Sequence, residues 1–230
     1  EKYLEELELM CKELKVVAIG ETGLDYYYNH SNPKIQRKRF IEQIELANYL
    51  KLPVVIHNRN SDDDMYYILK KYLPKGVIHC FSSNIDFASK IIDLGLLLSF
   101  TGIITFKNSS LSNVIKRIDF TKFMIETDSP YLTPEPYRGK RNEPSYVSII
   151  AEKIAEIKNI APQDVADQTT YNALKLFNKL KWNILNLPYK PIFVSTHSKI
   201  DNIGINNINI KNCALSLAQR SPNQKQNISV

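Results

Sequence analysis

Cysteine is scarce in this 230-residue chain. The three present, Cys11, Cys80 and Cys213, are too unevenly placed for a disulfide framework or a clustered thiolate metal site. A reducing compartment is expected. Also lacking is any apolar run long enough to span a bilayer, and the opening residues do not read as a leader peptide. The expectation is an intracellular protein, cytoplasmic or nuclear, with no membrane partner and no obligate protein partner. Histidine is limited to four residues, with no His-x-His pair among them. What is present is ordinary for a globular chain: 43% hydrophobic residues, a net charge of +6 and a pI of about 9.0. That basicity suits a polyanionic partner as well as it suits a soluble surface.

Five apolar runs punctuate the first 130 residues. Val16-Val17-Ala18-Ile19 has no polar alternation, so it reads as a strand buried on both faces, the kind found in parallel sheets. It passes through Gly20 into Glu21. Pro53-Val54-Val55-Ile56 ends in His57, Gly76-Val77-Ile78 in His79, and Phe123-Met124-Ile125-Glu126-Thr127 in Asp128. Gly95-Leu96-Leu97-Leu98 delivers only Ser99 and Thr101. Amphipathic stretches lie between these runs, and the alternation predicts a parallel sheet with helices outside it. In a closed barrel of such units, catalytic groups gather at the carboxyl ends of the strands. One Glu or His there is ordinarily a turn residue or a hydrogen-bonded structural group. Four strand ends bringing Glu21, His57, His79 and Asp128 to one face point instead to metal binding, because a carboxylate leaving the core needs a positive partner.

Six segments, in order and at consistent spacing, resemble the TatD-type metal-dependent deoxyribonucleases. They are Gly20-Glu21-Thr22-Gly23-Leu24-Asp25-Tyr26-Tyr27, Leu52-Pro53-Val54-Val55-Ile56-His57-Asn58-Arg59, Val77-Ile78-His79-Cys80-Phe81-Ser82, Ser99-Phe100-Thr101-Gly102-Ile103-Ile104-Thr105-Phe106-Lys107, Ile125-Glu126-Thr127-Asp128-Ser129-Pro130-Tyr131-Leu132 and Arg138-Gly139-Lys140-Arg141-Asn142-Glu143-Pro144. The likeness extends to Phe177. It implies an α/β fold, a TIM-type (β/α)8 barrel of the metal-dependent hydrolase kind. It also implies an exonuclease-like deoxyribonuclease acting on DNA with two divalent ions, Mg, Mn or Zn. Two ions about 3.5–4 Å apart clamp the attacking and leaving oxygens of a phosphodiester. On this reading Glu21 bridges them, His57 and His79 hold one, and Asp128 holds the other and accepts a proton from water, so that Glu21 and Asp128 are the catalytic pair. The family's first strand carries a His-x-His pair. Against an eight-stranded barrel, about three β/α units, roughly 90 residues, are expected to be absent ahead of Val16, and the chain as it stands is expected to turn over little. A metal-dependent hydrolase of small esters or amides is the alternative, and a catalytically inactive truncated barrel is a third reading.

Around the strands, residues 1–15 space Leu4, Leu7, Met10 and Leu14 as an amphipathic helix. A helix is expected over 33–50 with Pro33 in its first turn. Another follows Ser61 as N-cap, where Asp62, Asp63 and Asp64 complement the helix dipole rather than form a metal cluster. Further helices are expected over 84–94, stopped by Gly95, and over 111–118, 145–158 and 162–177. His30 reads as a solvated loop residue. Arg59, two residues past His57, offers a planar fork suited to phosphate oxygens. Asp25 either orients a metal ligand or caps the next turn. The loop over 130–144 combines Tyr131, Tyr137, Arg138, Lys140 and Arg141. Its rings and cations suit stacking and phosphate contact as well as they suit a rigid connector, and the resemblance favours substrate contact by Arg138, Lys140 and Arg141. Residues 1–180 read as the barrel domain. Residues 181–230 read as an extension, largely disordered because Asn, Ile, Ser and Gln dominate it without period. His197 there reads as no ligand, and Asn227-Ile228-Ser229 as a chance match to a glycosylation acceptor.

Overall fold

The computed structural model describes residues 2–28, 30–182 and 192–194. Helix α1 (Lys2–Cys11) leads into β1 (Val16–Asp25), and the alternation continues through α2 (Pro33–Leu50), β2 (Val54–Arg59), α3 (Asp62–Tyr72), β3 (Gly76–Ile78), α4 (Ile85–Asp93), β4 (Leu97–Phe100), α5 (Leu111–Arg117) and β5 (Phe123–Ile125). Helices α6 (Val147–Lys158) and α7 (Pro162–Leu176) follow, then a short strand β6 (Ile192–Val194). All pairings are parallel, in the order β5-β4-β3-β2-β1-β6. Five successive β/α units of a (β/α)8 barrel are therefore in place.

The alternation within each strand sorts side chains onto two faces. Val54, Ile56, Ile78, Leu98, Phe100 and Phe123 join the helices in one core, while Val17, Val55, Val77, Leu97 and Met124 face the other way and pack on Ala173, Phe177 and Leu180. In the helix-side core, Phe100 packs edge-on against both Phe81 and Phe123, with ring centroids 6.0 and 5.4 Å apart. Each of these rings is fully buried and contributes roughly 1.5–3 kcal/mol relative to exposure.

The structure corrects the sequence reading at three points. Strand β1 does not stop at Ile19; it runs six residues further, with Gly23 opposite His57 and Asp25 opposite Arg59. Gly20 and Gly23 do not break the strand; they are sites of close backbone approach. A Cβ on Gly23, whose φ is +148°, would lie 1.9 Å from the His57 carbonyl oxygen. Second, with about three β/α units expected to be absent ahead of it, Val16–Ile19 would lie at an open edge, yet β6 pairs alongside it, with Val16 opposite Ile192 and Ile19 opposite Val194. An unpaired edge is a template for any β-prone segment, and Ile-Phe-Val supplies one within the extension read as disordered. Residues 183–191 and 195–230 of that extension, His197 and Asn227 among them, lie outside the described residues. Third, Ser61 makes no capping bond; its hydroxyl donates to Asn58 Oδ1 at 2.7 Å and to the Leu24 carbonyl at 3.3 Å.

Candidate metal centre

The inward face carries a polar layer one pleat above its apolar layer. Two residues beyond Val55 stands His57, beyond Val77 stands His79, beyond Leu97 stands Ser99, and beyond Met124 stands Glu126. The backbone ladder continues past the strand ends to fix them. His79 N–H donates to the Ile56 carbonyl at 2.9 Å, and Glu126 N–H to the Phe100 carbonyl at 3.0 Å. In β1 the register shifts between Ile19 and Thr22. A bulge of this kind re-aims a side chain, and it brings Glu21 to the two imidazoles. Glu21, His57 and His79 each offer a ligand atom within 4.8 Å of the other two.

Each imidazole presents one nitrogen to Glu21 and the other to a supporting carboxylate. His79 Nε2 pairs with Glu21 Oε1, while His79 Nδ1 lies 3.2 Å from Glu126 Oε1. His57 Nδ1 faces Glu21 Oε1 at 3.9 Å, and His57 Nε2 meets Asp25 Oδ2 at 3.1 Å. A carboxylate on one ring nitrogen draws the N–H to that side and leaves the other lone pair aimed at the centre. Asp25, for which orientation of a ligand and capping of a turn were alternatives, does both. Its Oδ1 accepts the N–H groups of Tyr27 and Tyr28 at 3.0 Å each, and its Oδ2 takes the imidazole.

The electrostatics follow this arrangement. Burial pushes His57 below its usual pKa, against the pull of Glu21 and Asp25 and with help from His79. Burial also opposes charge on His79, but Glu126 and Glu21 outweigh it and raise that pKa well above the ordinary value. Burial resists ionisation of Asp25 as well; the Tyr28 N–H, His57 and the Tyr27 N–H overcome it and hold the carboxyl low. Three partly buried carboxylates thus face two imidazoles, a net negative charge even with both rings protonated. A divalent cation corrects that imbalance, and the mixed imidazole and carboxylate donors suit Zn²⁺, Mn²⁺ or Mg²⁺. The residues fit a metal ion.

Asp128 sits at the same end of the sheet, three residues past β5, and its charge, behind those of His79 and Glu126, acts on the neighbouring Cys80 thiol, which burial drives up to about 12. It is not in the three-residue group, which among the described residues comprises Glu21, His57 and His79. Glu126, absent from the sequence-based site, backs His79 on the nitrogen turned away from Glu21, and also accepts the Cys80 N–H at 2.7 Å. Arg59 stands two residues above His57 on the same strand, its guanidinium 4.4 and 4.5 Å from the ring centroids of Tyr27 and Tyr28. Arg138 lies over Phe106 at 4.0 Å and Lys140 near Tyr137 at 5.8 Å, both exposed with Arg141 on the loop over β4 and β5. Buried Asn142 latches that loop, donating to the Thr127 carbonyl at 2.7 Å and also to the Tyr131 carbonyl. Asp62, Asp63 and Asp64 begin α3 as expected. Asp62 also accepts from Asn58 at 2.6 Å, and Asp64 from Tyr26 and Arg37 at 2.7 and 2.6 Å.

A parallel sheet whose inner face collects a Glu–His–His group at the carboxyl ends of three adjacent strands defines the class of metal-dependent hydrolase barrels. Within it, residues 1–178 match the family described as TatD related DNase, and the chain belongs to that family. It is 46% identical over 174 residues to the uncharacterized metal-dependent hydrolase YabD of Bacillus subtilis, covering 74% of this chain and 68% of YabD. It is 48% identical over 168 residues to an uncharacterized metal-dependent hydrolase of Buchnera aphidicola, covering 71% of this chain and 63% of that protein. The chain thus spans about two thirds of the length of these relatives. Among solved structures it is similar to YJJV, a TatD homolog from Escherichia coli, with a TM-score of 0.72 and 29% identity over 76% of this chain and 70% of the other. No helix among the described residues is long and apolar enough to cross a membrane.

Proposed function

We propose that the protein is a metal-dependent deoxyribonuclease that hydrolyses phosphodiester bonds of DNA from a strand end. The observation that supports this reading most is the Glu21–His57–His79 group with each imidazole backed by its own carboxylate. Glu21, His57 Nδ1 and His79 Nε2 would hold a divalent ion. Bound there, the ion supplies Lewis-acid polarisation of the phosphoryl group and lowers the pKa of water towards neutrality. Asp25 and Glu126 keep the two lone pairs aimed inward, so the donor geometry is set before binding. Asp128 accepts the proton released by the attacking water. Arg59 presents its N–H edge to a phosphate oxygen while its face rests on tyrosine rings, and Arg138, Lys140 and Arg141 contact phosphates further along the strand. A second ion would draw Glu21 and Asp128 from this chain.

The test is a cleavage assay on labelled DNA with Mg²⁺, Mn²⁺ and Zn²⁺ in turn, run beside a p-nitrophenyl ester and an anilide. DNA cleavage that EDTA abolishes and that His57→Ala or His79→Ala removes supports the reading. Turnover of the ester or anilide without cleavage of DNA would replace it with a small-molecule hydrolase.

A further inference from the structure

We infer that Tyr27 and Tyr28, at the mouth of the metal centre, form a seat on which one nucleobase of the substrate stacks. The inference rests on the deoxyribonuclease reading and adds a subsite to it. The two rings meet edge to face, with centroids 4.9 Å apart and planes at 87°, and they remain 58% and 52% exposed. Other tyrosines of this chain are as exposed, but these two stand together and are braced by their neighbours. They are fixed from below: both backbone N–H groups bond to Asp25, the carboxylate that also supports His57. They are fixed from the side by Arg59, whose guanidinium lies against both, and His30 stacks on Tyr28 with planes 10° apart and centroids 5.5 Å apart. The seat is therefore tied through single residues to the metal centre and to the phosphate-facing arginine.

The adjoining cleft, about 570 Å³, indicates which part of a nucleotide comes here. Its walls include Arg59, Asn58, Ser83 and the acidic run Asp62, Asp63 and Asp64. Asp62 is held by Asn58 and Ser83 and Asp64 by Tyr26 and Arg37, which leaves the exposed Asp63 to accept from amino or hydroxyl groups, and the run as a whole disfavours phosphate. A strand crossing the site would keep its phosphates towards Arg59 and the metal centre and turn an uncharged base and sugar towards the rings. Each base has a π-face, so such a seat tolerates any sequence.

The experiment is equilibrium binding of the full chain, with Mg²⁺, to two labelled single-stranded oligomers with hydrolysis-resistant phosphorothioate backbones. One carries its bases and the other, of equal length and charge, carries none. The base-bearing strand is expected to bind more tightly, and Tyr27→Leu/Tyr28→Leu is expected to shrink that preference by roughly 5- to 150-fold, the range covered by stacking of one base. Tyr27→Phe/Tyr28→Phe should retain it. If the double leucine variant weakens both strands equally and leaves their ratio unchanged, the rings only brace Arg59 and the seat is overturned. Equal binding of both strands by the native protein overturns the seat and leaves the deoxyribonuclease reading standing. Binding of neither strand overturns both.

Discussion

The β1–β3 half of the sheet and the β4–β5 half put their functional groups under different control. In the first, Glu21, His57 and His79 come from strand backbone, and each imidazole is held at its far nitrogen by a carboxylate, Asp25 or Glu126. In the second, the cations ride on an exposed loop, with Arg138 resting on the Phe106 ring and Lys140 near Tyr137. The loop's backbone is tied down, by Asn142 at its root, by the Thr133 hydroxyl on the Lys140 carbonyl and by the Glu135 N–H on Thr105, but the cationic heads of Arg138, Lys140 and Arg141 stay exposed. A metal ion needs donors placed within a few tenths of an ångström, so its ligands sit on ladders. A phosphate chain is met by charge at longer range, and cations on a loop suffice.

If that contrast is right, the largest effect comes from emptying the ladder side. His79→Ala should reduce divalent-metal affinity by more than about 100-fold, exceeding the 10- to 100-fold typical of losing a supporting carboxylate; isothermal titration calorimetry measures it. Glu126→Gln and Asp25→Asn should fall within that 10- to 100-fold range. The pH dependence has a definite sign. In the metal-free protein His79 holds its proton to a raised pKa, and a metal must displace that proton. Affinity should therefore rise with pH until that pKa is passed, with proton release on binding that Glu126→Gln reduces. Correspondingly, the stability that His79 lends the metal-free fold is fully present below about pH 6.5 and fades as pH rises through the raised value.

Gly23→Ala tests whether the ladder itself sets the site. The added methyl meets the His57 carbonyl and the residue is held at φ +148°, so β1 and β2 must part. A loss of about 1–3 kcal/mol in chemical denaturation is expected, together with weaker metal binding. On the loop side the effect should be smallest. Arg138→Ala should leave metal affinity unchanged, weaken DNA binding a few-fold and reduce the slope of log K against log salt by about 0.7 to 0.9, one phosphate contact. Metal affinity that falls with Arg138→Ala as it does with Glu126→Gln would erase the contrast.

How much of this was legible in the sequence depended on whether the signal was local. Helices α2 and α4 show it in their caps: Asn32 accepts the Lys34 N–H before Pro33, and Asn84 accepts the Phe87 N–H. The strand cores and the His57 and His79 positions follow from apolar runs. Strand β1 was read too short because Gly20 and Gly23 look like breaks until β2 is seen lying against them. Glu126 was missed beside Asp128, although the two-residue step from Val55 to His57 and from Val77 to His79 also leads from Met124 to Glu126. Period-2 counting within each strand would have found it. Strand β6 could not be read locally, because its three residues acquire a partner only through the edge that β1 presents.

The most direct test of the metal centre is a crystal of the protein grown with Mn²⁺ and measured for anomalous scattering. The account predicts a peak bonded to Glu21, His57 Nδ1 and His79 Nε2, with Asp25 and Glu126 still on the opposite ring nitrogens. A peak on the Asp62–Asp64 run with none between the two histidines would contradict it.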